Sequence, residues 1–413
     1  MKQKKIGVLG SGETGMGTAF LAKQKGLDVF LSDGGAIPLE KQQQLLAWGV
    51  TFETQNHTLE KLKDAQYIIK SPGIPDTAKI VQDLLKNGVK VISEIEFAAG
   101  FSQANLIAIT GSNGKTTTST LTHHLLCGIG LDAVLAGNIG DSFAKMLITK
   151  PASNYVLEVS SFQLDGVVNF APHIAVITNI TPDHLDRYQN DFSRYTASKF
   201  NIAKKQTAQD FLIYNADDSV ILEGLEKYTP AATLIPFSVE KQLSVGGYLK
   251  DDFLTVTLPK VSFQIPLQML QIKGKHNRQN ALASLLVAAL LEGATPLLQK
   301  ALSDFTGVAH RMENVALQNG VAYINDSKAT NVAATYFALE GLETPIIWIA
   351  GGQDKGNDYK DLYPLAAQKV KLLICLGVDQ KTIPTAFQGV VAHIICADDM
   401  QQAVQAAQKN AIA

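Results

Sequence analysis

Residues 107–118, Ile-Ala-Ile-Thr-Gly-Ser-Asn-Gly-Lys-Thr-Thr-Thr, carry the reading that decides the fold of this 413-residue chain. A β-branched apolar run (Ile107, Ile109) ends in the glycine-bracketed turn Gly111-Ser112-Asn113-Gly114, and Lys115-Thr116-Thr117 opens a helix-compatible segment. A strand, a tight turn of free backbone N–H groups and a helix N-terminus form an anion cradle. The Lys115 ammonium adds a point charge for the terminal phosphates of a nucleotide, and the Thr116 hydroxyl a ligand for Mg²⁺. The common P-loop spacing, G-x-x-x-x-G-K-[ST], would need glycine at 109, where the chain has Ile109. The turn here is the shorter variant.

Composition bounds what surrounds it. With 46% apolar residues, 18% charged residues and a net charge of −2, the chain reads as ordinary globular protein, and no basic stripe points to nucleic acid. Its length predicts two to four domains. No stretch approaches the ~18 apolar residues of a membrane span. Gly7, Gly10 and Gly12 break the apolar run behind the basic N-terminus, so no signal-peptide core forms, and a cytoplasmic location is expected. Cys127, Cys375 and Cys396 lack metal or redox spacing; the last two stand in apolar runs, and plain core thiols are expected.

Outward from the turn, strand and helix patterns alternate. KIGVLG, LDVFLSD, DAQYIIKSPG and GVKVISE read as strands of a mostly parallel sheet, and the periodicity lapses near residues 99–105. IAIT, NYVLEVS, HIAVITNI and FLIYN continue the pattern, with a helix between 192 and 206. Residues 232–272 switch to short alternating segments typical of an antiparallel patch, followed by a long helix over 277–291. VAYIND, PIIWIAGG, KLLICLG and AHIICAD form a last group of strands. The fold class is α/β, with three consecutive α/β domains over 1–101, 102–307 and 308–413.

Chemistry-bearing residues fall at the carboxyl ends of these strands. Gly10-Ser11-Gly12-Glu13-Thr14-Gly15 follows the first strand and Asp33 ends the second, a pattern that alone suggests a dehydrogenase but licenses any nucleotide diphosphate. Ser71-Pro72-Gly73 is a second loop on the same rim. Glu158 ends YVLEVS and Asp183-His184-Leu185-Asp186 follows IAVITNI, both beside the phosphate turn, where a nucleotide metal is held. Read singly, Glu158 could be a capping carboxylate, His184 a hydrogen-bonded loop histidine and Lys199 a solvated helix lysine. Asn277 and Asn280 lie one turn apart, suited to a base edge or to capping. His310-Arg311, the run 325–331 and the run 351–355 gather both charges near strand ends, which suits anionic substrates.

In this order, TGSNGKTTT, LEVSSFQL, TNITPDHLDRY, GKHNRQNALA, HRMENV, NDSKATN and GGQDKG resemble the Mur ligases of peptidoglycan synthesis, from about Lys5 onward. NDSKATN is similar to the branch that adds D-glutamate. The resemblance implies a Rossmann-like UDP-binding domain, a central P-loop-like ATPase domain and a C-terminal Rossmann-like amino-acid-binding domain. It implies that ATP phosphorylates the carboxylate of UDP-N-acetylmuramoyl-L-alanine to an acyl phosphate, which the amine of D-glutamate attacks. By the same resemblance, Gly111, Ser112, Asn113, Gly114, Lys115, Thr116 and Thr117 hold ATP phosphates, with Asn277 and Asn280 near adenine. Arg311, Asp326 and Lys328 would stand at the ribose and phosphates. Thr116 and Glu158 would bind one Mg²⁺, and His184 and Lys199, the latter as a carbamate, a second. Lys115, Glu158, His184, Lys199 and Lys328 are the catalytic set implied.

Thr14, Asp33 and Gly73 would hold the UDP group, Asn138 and Gln163 the muramoyl-alanine, and Thr330 and Lys355 the D-glutamate. A monomer is expected. The resemblance also leads one to expect a further strand and a serine-rich segment after the helix pattern of 398–413, so the last domain is expected to be incomplete at its C-terminus. Two alternatives follow: a Mur-ligase-like protein that binds nucleotide-sugar without turnover, and a folate-type glutamate ligase, which leaves the UDP-type first domain unexplained.

Overall fold

In the computed structural model of the chain, residues 5–293, 296–343, 345–352, 357–377 and 381–411 are described. Short β-branched runs bounded by glycine and asparagine form its first sheet: β1 (Lys5–Leu9), β2 (Asp28–Asp33), β3 (Thr51–Thr54), β4 (Tyr67–Lys70) and β5 (Lys90–Ser93). All pair in parallel, in the order β3-β2-β1-β4-β5. The strand order reverses between β1 and β4, which opens a ligand crevice at their carboxyl ends. The short polar strand β3, TFET, was not among the strands expected; it has no apolar run, and only pairing with β2 makes it a strand.

A second sheet holds β6 (Asn105–Thr110), β7 (Ala133–Gly137), β8 (Asn154–Glu158), β9 (Ile174–Ile177), β10 (Phe211–Asn215) and β11 (Thr233–Ser238). It is completed by β12 (Gly246–Lys250), β13 (Phe253–Leu258) and β14 (Val261–Pro266), in the order β14-β13-β12-β11-β10-β9-β6-β8-β7. Pairing is parallel from β7 to β12 and antiparallel only for β12–β13 and β13–β14. The expected antiparallel patch is thus the edge of the main sheet. Strand β6 lies between β9 and β8, and its residues Leu106, Ile107, Ala108 and Ile109 are apolar and buried on both faces, which fixes the phosphate turn at its carboxyl end.

These two sheets belong to one compact unit together with residues 278–305. The junction of β5 and the helix Glu94–Ala99 clamps them. Ser93 N–H donates to the Gly166 carbonyl at 2.9 Å, and Glu96 accepts the N–H groups of Val168, Asn169 and Phe170 at 2.9–3.0 Å. One apolar cluster runs through both sheets, joining Leu21, Ile95 and Phe97 to Phe143, Tyr155 and Leu164.

Residues 271–277 and 306–411 lie in a second unit. Here β15 (Glu313–Gln318) and β16 (Val321–Asn325) form an antiparallel hairpin, while β17 (Ile346–Gly351), β18 (Val370–Leu376) and β19 (His393–Ala397) form a parallel sheet. Strand β15 is largely exposed and carries little apolar signal, so the sequence pattern passes over it. Of the two cysteines in apolar runs, expected as core thiols, Cys375 alone is buried. Cys396 is exposed because β19 is an edge strand, and Cys127 is exposed in the last turn of the helix Lys115–Gly128. Among the described residues no helix is long and apolar enough to cross a membrane.

Candidate active site

The phosphate turn is held from below by the strand beside it. Ser112 N–H donates to the Asn179 carbonyl at 2.9 Å, and Asn113 N–H to Asn179 Oδ1 at 2.9 Å. Asn179 Nδ2 and Thr178 Oγ1 donate back to the Asn113 carbonyl, at 2.9 and 2.6 Å. Ser112 Oγ is bracketed by the Thr181 backbone and by Tyr195 Oη at 3.0 Å. This corrects the expectation of a turn of free N–H groups: those of Ser112 and Asn113 are spent on building the turn. The anion cradle is instead the start of the helix Lys115–Gly128, whose N-cap, Gly114, has no capping side chain. Gly114 lies at φ 81°, and a Cβ there would stand 2.6 Å from Asn280 Oδ1, so both backbone and space require glycine. Asn280 Oδ1 also accepts from Thr118 Oγ1 at 3.1 Å, which locks the helix Lys115–Gly128 to the helix Lys275–Leu291.

Two lysines converge on one carbonyl. Lys115 Nζ donates to the carbonyls of Gly111 and Ser112 at 2.7 and 2.8 Å, and Lys199 Nζ to that of Gly111 at 2.8 Å. Lys199 is 1% exposed, its ammonium 4.4 Å from the ring centroid of Tyr195. Read singly from sequence it was a solvated lysine; burial in the last turn of the helix Phe192–Phe200 overturns that. Burial first, then the nearby Lys115 charge, push its pKa well below the ordinary lysine range, against the opposing pull of Asp183 and Asp165.

Glu158 is 3% exposed; Asn138 Nδ2 donates to its Oε1 at 2.8 Å, and Oε2 has no hydrogen-bond partner. An ionised, buried oxygen left without a donor is costly unless a cation completes it, so this carboxylate suits a metal. Among the described residues no group of three or more His, Cys, Asp or Glu could hold a metal alone. A single carboxylate with one open oxygen is compatible with Mg²⁺, which takes one or two protein oxygens and the rest from phosphates and water. His184 sits at φ 52°, its ring 5.2 Å from that of Phe162 and its Nε2 3.7 Å from Asp183.

In the first sheet, the residues 10–15 turn depends on close approach: a Cβ on Gly15 would stand 1.8 Å from the Gly10 carbonyl oxygen. Asp33 Oδ2 accepts from Ser11 N–H at 2.6 Å and Oδ1 from Gly35 N–H at 2.8 Å. Partial burial works to raise its pKa, but the bonds from Ser11 and Gly35 outweigh it and lower it. Thr14 lies in the first turn of the helix Glu13–Gln24, and Gly73 in the loop after β4. Gln163 closes a capping box with Ser160, which leaves its amide NH₂ as the remaining donor. Arg187, missed in the sequence, ties the 183–190 loop to the first sheet: it donates to the Pro72 carbonyl at 3.3 Å and stacks 4.3 Å from the Phe162 ring.

The other candidates lie in the second unit. Asn277 Nδ2 donates to the Lys273 carbonyl at 2.8 Å. Asp326 accepts from Met312 N–H at 3.0 Å, and burial raises its pKa. Lys328 N–H donates to the His310 carbonyl at 3.2 Å, Thr330 is exposed, and Arg311 N–H bonds the Val308 carbonyl at 3.1 Å. Lys355 lies outside the described residues. Asn179 and Tyr195, which hold the turn, were also missed; the signal available was an asparagine directly after a buried strand.

A doubly wound first sheet, a phosphate turn on a central strand and a buried metal-type carboxylate beside it define a nucleotide-dependent enzyme of the Mur ligase type. The chain belongs to the Mur ligase family: residues 4–93 match its MurD-like N-terminal domain, 109–288 its middle domain and 310–413 its glutamate ligase domain. It is 48% identical over 404 residues to the UDP-N-acetylmuramoylalanine--D-glutamate ligase of Christiangramia forsetii, covering 98% of this chain and 91% of that protein. The protein of the same name from Porphyromonas gingivalis is 42% identical over 408 residues, again 98% and 91% covered. The fold is shared with the solved UDP-N-acetylmuramate-alanine ligase of Thermotoga maritima (TM-score 0.62, 18% identity, 99% of this chain and 93% of that one).

Proposed function

We propose that the chain is an ATP-dependent amide ligase that adds D-glutamate to UDP-N-acetylmuramoyl-L-alanine in peptidoglycan precursor synthesis. What carries this reading is the 48% identity to a ligase of that name, running through the first, middle and last domains. That run favours a working enzyme over a non-catalytic nucleotide-sugar binder. The domains are taken as 1–101 for the UDP substrate, 102–307 for ATP and 308–413 for the amino acid.

A carboxylate is a poor acyl donor, and a phosphoryl group gives it a leaving group. The γ-phosphoryl of ATP passes to the alanyl carboxylate, releasing ADP; the D-glutamate amine then attacks the acyl carbon, and phosphate leaves as the amide forms. Phosphoryl transfer depends on positioning and charge neutralisation. Lys115 would leave the carbonyls of Gly111 and Ser112 for the β- and γ-phosphates, which the helix N-terminus at Gly114–Thr117 receives. Mg²⁺, held by Thr116 and Glu158, would neutralise phosphate charge. The lowered pKa of Lys199 favours the uncharged amine that CO₂ needs to form a carbamate with loss of a proton; with His184 the carbamate would then serve a second Mg²⁺.

Thr14, Asp33 and Gly73 would hold the UDP group, and Asn138 and Gln163 the muramoyl-alanine. Asn277, Asn280, Arg311, Asp326 and Lys328 would serve the nucleotide, and Thr330 and Lys355 the D-glutamate carboxylates. The enzyme acts as a monomer in the cytoplasm. The test is ADP release: it is expected only when UDP-N-acetylmuramoyl-L-alanine and D-glutamate are both present. Release indifferent to D-glutamate would overturn the assignment.

A further inference from the structure

A hydrogen-bonded chain in the first sheet, Glu53–Ser32–His57, is not used by the reaction above. Ser32 is fully buried, and its Oγ lies 2.8 Å from Glu53 Oε1, 3.2 Å from the Asn56 carbonyl oxygen and 2.7 Å from His57 Nδ1. Glu53 also accepts from Thr58 N–H and Thr58 Oγ1, both at 2.7 Å, and from Lys61 at 3.0 Å. Partial burial works against its ionised form, but the Thr58, Ser32 and Lys61 donors outweigh it and bring its pKa to about 2. Glu53 is therefore an acceptor only.

The proton count then sets the histidine. Ser32 has one proton, and Glu53 and the Asn56 carbonyl can only accept it. The 2.7 Å contact with His57 is satisfied when Nδ1–H donates to Ser32 Oγ. In the neutral imidazole this tautomer leaves Nε2 as the acceptor. Among the described residues Nε2 makes no hydrogen bond, Ser32 being the ring's one partner.

Its placement is specific. A Cβ on Gly34 would stand 2.9 Å from Nε2, so the glycine leaves room for that ring edge beside Asp33. The carboxyl ends of β1, β2 and β3 lie side by side. The residues 10–15 turn follows the first, Asp33 ends the second and His57 stands just beyond the third. Neighbouring strands are ~4.8 Å apart, so His57 is roughly 10 Å along the rim from the turn. A nucleoside diphosphate with its phosphates on the turn and its ribose by Asp33 would bring its base to His57.

We propose that His57 is a specificity-determining residue that recognises the uracil of the nucleotide-sugar substrate, its Nε2 accepting a hydrogen bond from uracil N3–H. The proposal rests on the ligase reading and deepens it. Cytosine carries a lone pair at N3 and would meet Nε2 acceptor to acceptor, so the site selects uridine over cytidine nucleotides.

UDP, CDP and N3-methyl-UDP titrated calorimetrically into the full chain test this. The wild type should bind UDP about tenfold or more tighter than either analogue, the cost of an unmade buried hydrogen bond. His57→Phe should lose that preference, and His57→Gln, whose carbonyl can accept, should recover part of it. Equal wild-type affinity for UDP and N3-methyl-UDP would overturn the proposal, as would an undiminished preference in a His57→Phe protein that melts like the wild type. Two-bond ¹⁵N–¹H spectra of the wild type should show the Nδ1–H tautomer; the Nε2–H tautomer would equally refute it. Should these fail while ADP release still requires D-glutamate, His57 alone leaves the account. Should that requirement be missing, the ligase reading itself falls.

Discussion

Replacing Glu94 with glutamine should stabilise the protein at pH 8 and change little near pH 4.5. Glu94 is 1% exposed where the first and second sheets meet; its Oε1 accepts from Ala144 N–H at 2.5 Å, and its Oε2 has no partner. Burial raises its pKa, the Ala144 bond opposes this, and the Glu13 charge adds to the rise, from 4.5 to about 7. Between those values the folded protein keeps a proton that the unfolded chain has released. Stability therefore falls as pH rises from 4.5 through about 7, and is level above. At 1.36 kcal/mol per pH unit, that interval is worth about 3 kcal/mol.

Glutamine keeps an oxygen for Ala144 N–H and is neutral throughout, so it copies the protonated acid and removes the slope. Thermal melts of both proteins between pH 4.5 and 8.5, with hydrogen exchange at the Ala144 amide, provide the assay. The two stability curves should meet at the acid end and separate by a few kcal/mol at the basic end. Parallel curves, or a glutamine variant less stable at pH 8, would refute the reasoning.

Lys199→Ala should abolish ligase turnover, and short carboxylic acids added to the assay should restore part of it; a fully active variant would remove the carbamate. Gly15→Ala should displace the Gly10 carbonyl, since its Cβ would stand 1.8 Å away. We expect it to cost about 1–3 kcal/mol of stability and to raise the KM for the UDP substrate, measured by melting and steady-state kinetics. An unchanged KM would separate that turn from UDP binding.

Much of the fold was legible because its signals are local. An apolar run of strand length followed by Gly111 and Gly114 announces β6 and its turn, and the six residues from Gly10 announce the turn after β1. Strands β3 and β15 escaped because they are short or exposed, and the neighbour that makes each a strand is distant or polar. Cys396 was read as core from an apolar run, but an edge strand buries less than its composition suggests.

By itself the sequence determined where phosphates could meet backbone, since a glycine turn and a helix start are set by residues within one or two turns of each other. Tertiary structure alone decided the chemistry of the groups around it. Lys199 stands 84 positions beyond Lys115 in the chain, yet both bond the Gly111 carbonyl, and only that burial turns an ordinary lysine into a weakly basic amine. Asn179, just past the end of the neighbouring strand β9, likewise takes two of the turn's N–H groups, shifting the anion cradle to the helix start. The reason is physical: propensity and spacing act through neighbours in sequence, whereas desolvation and charge act through neighbours in space.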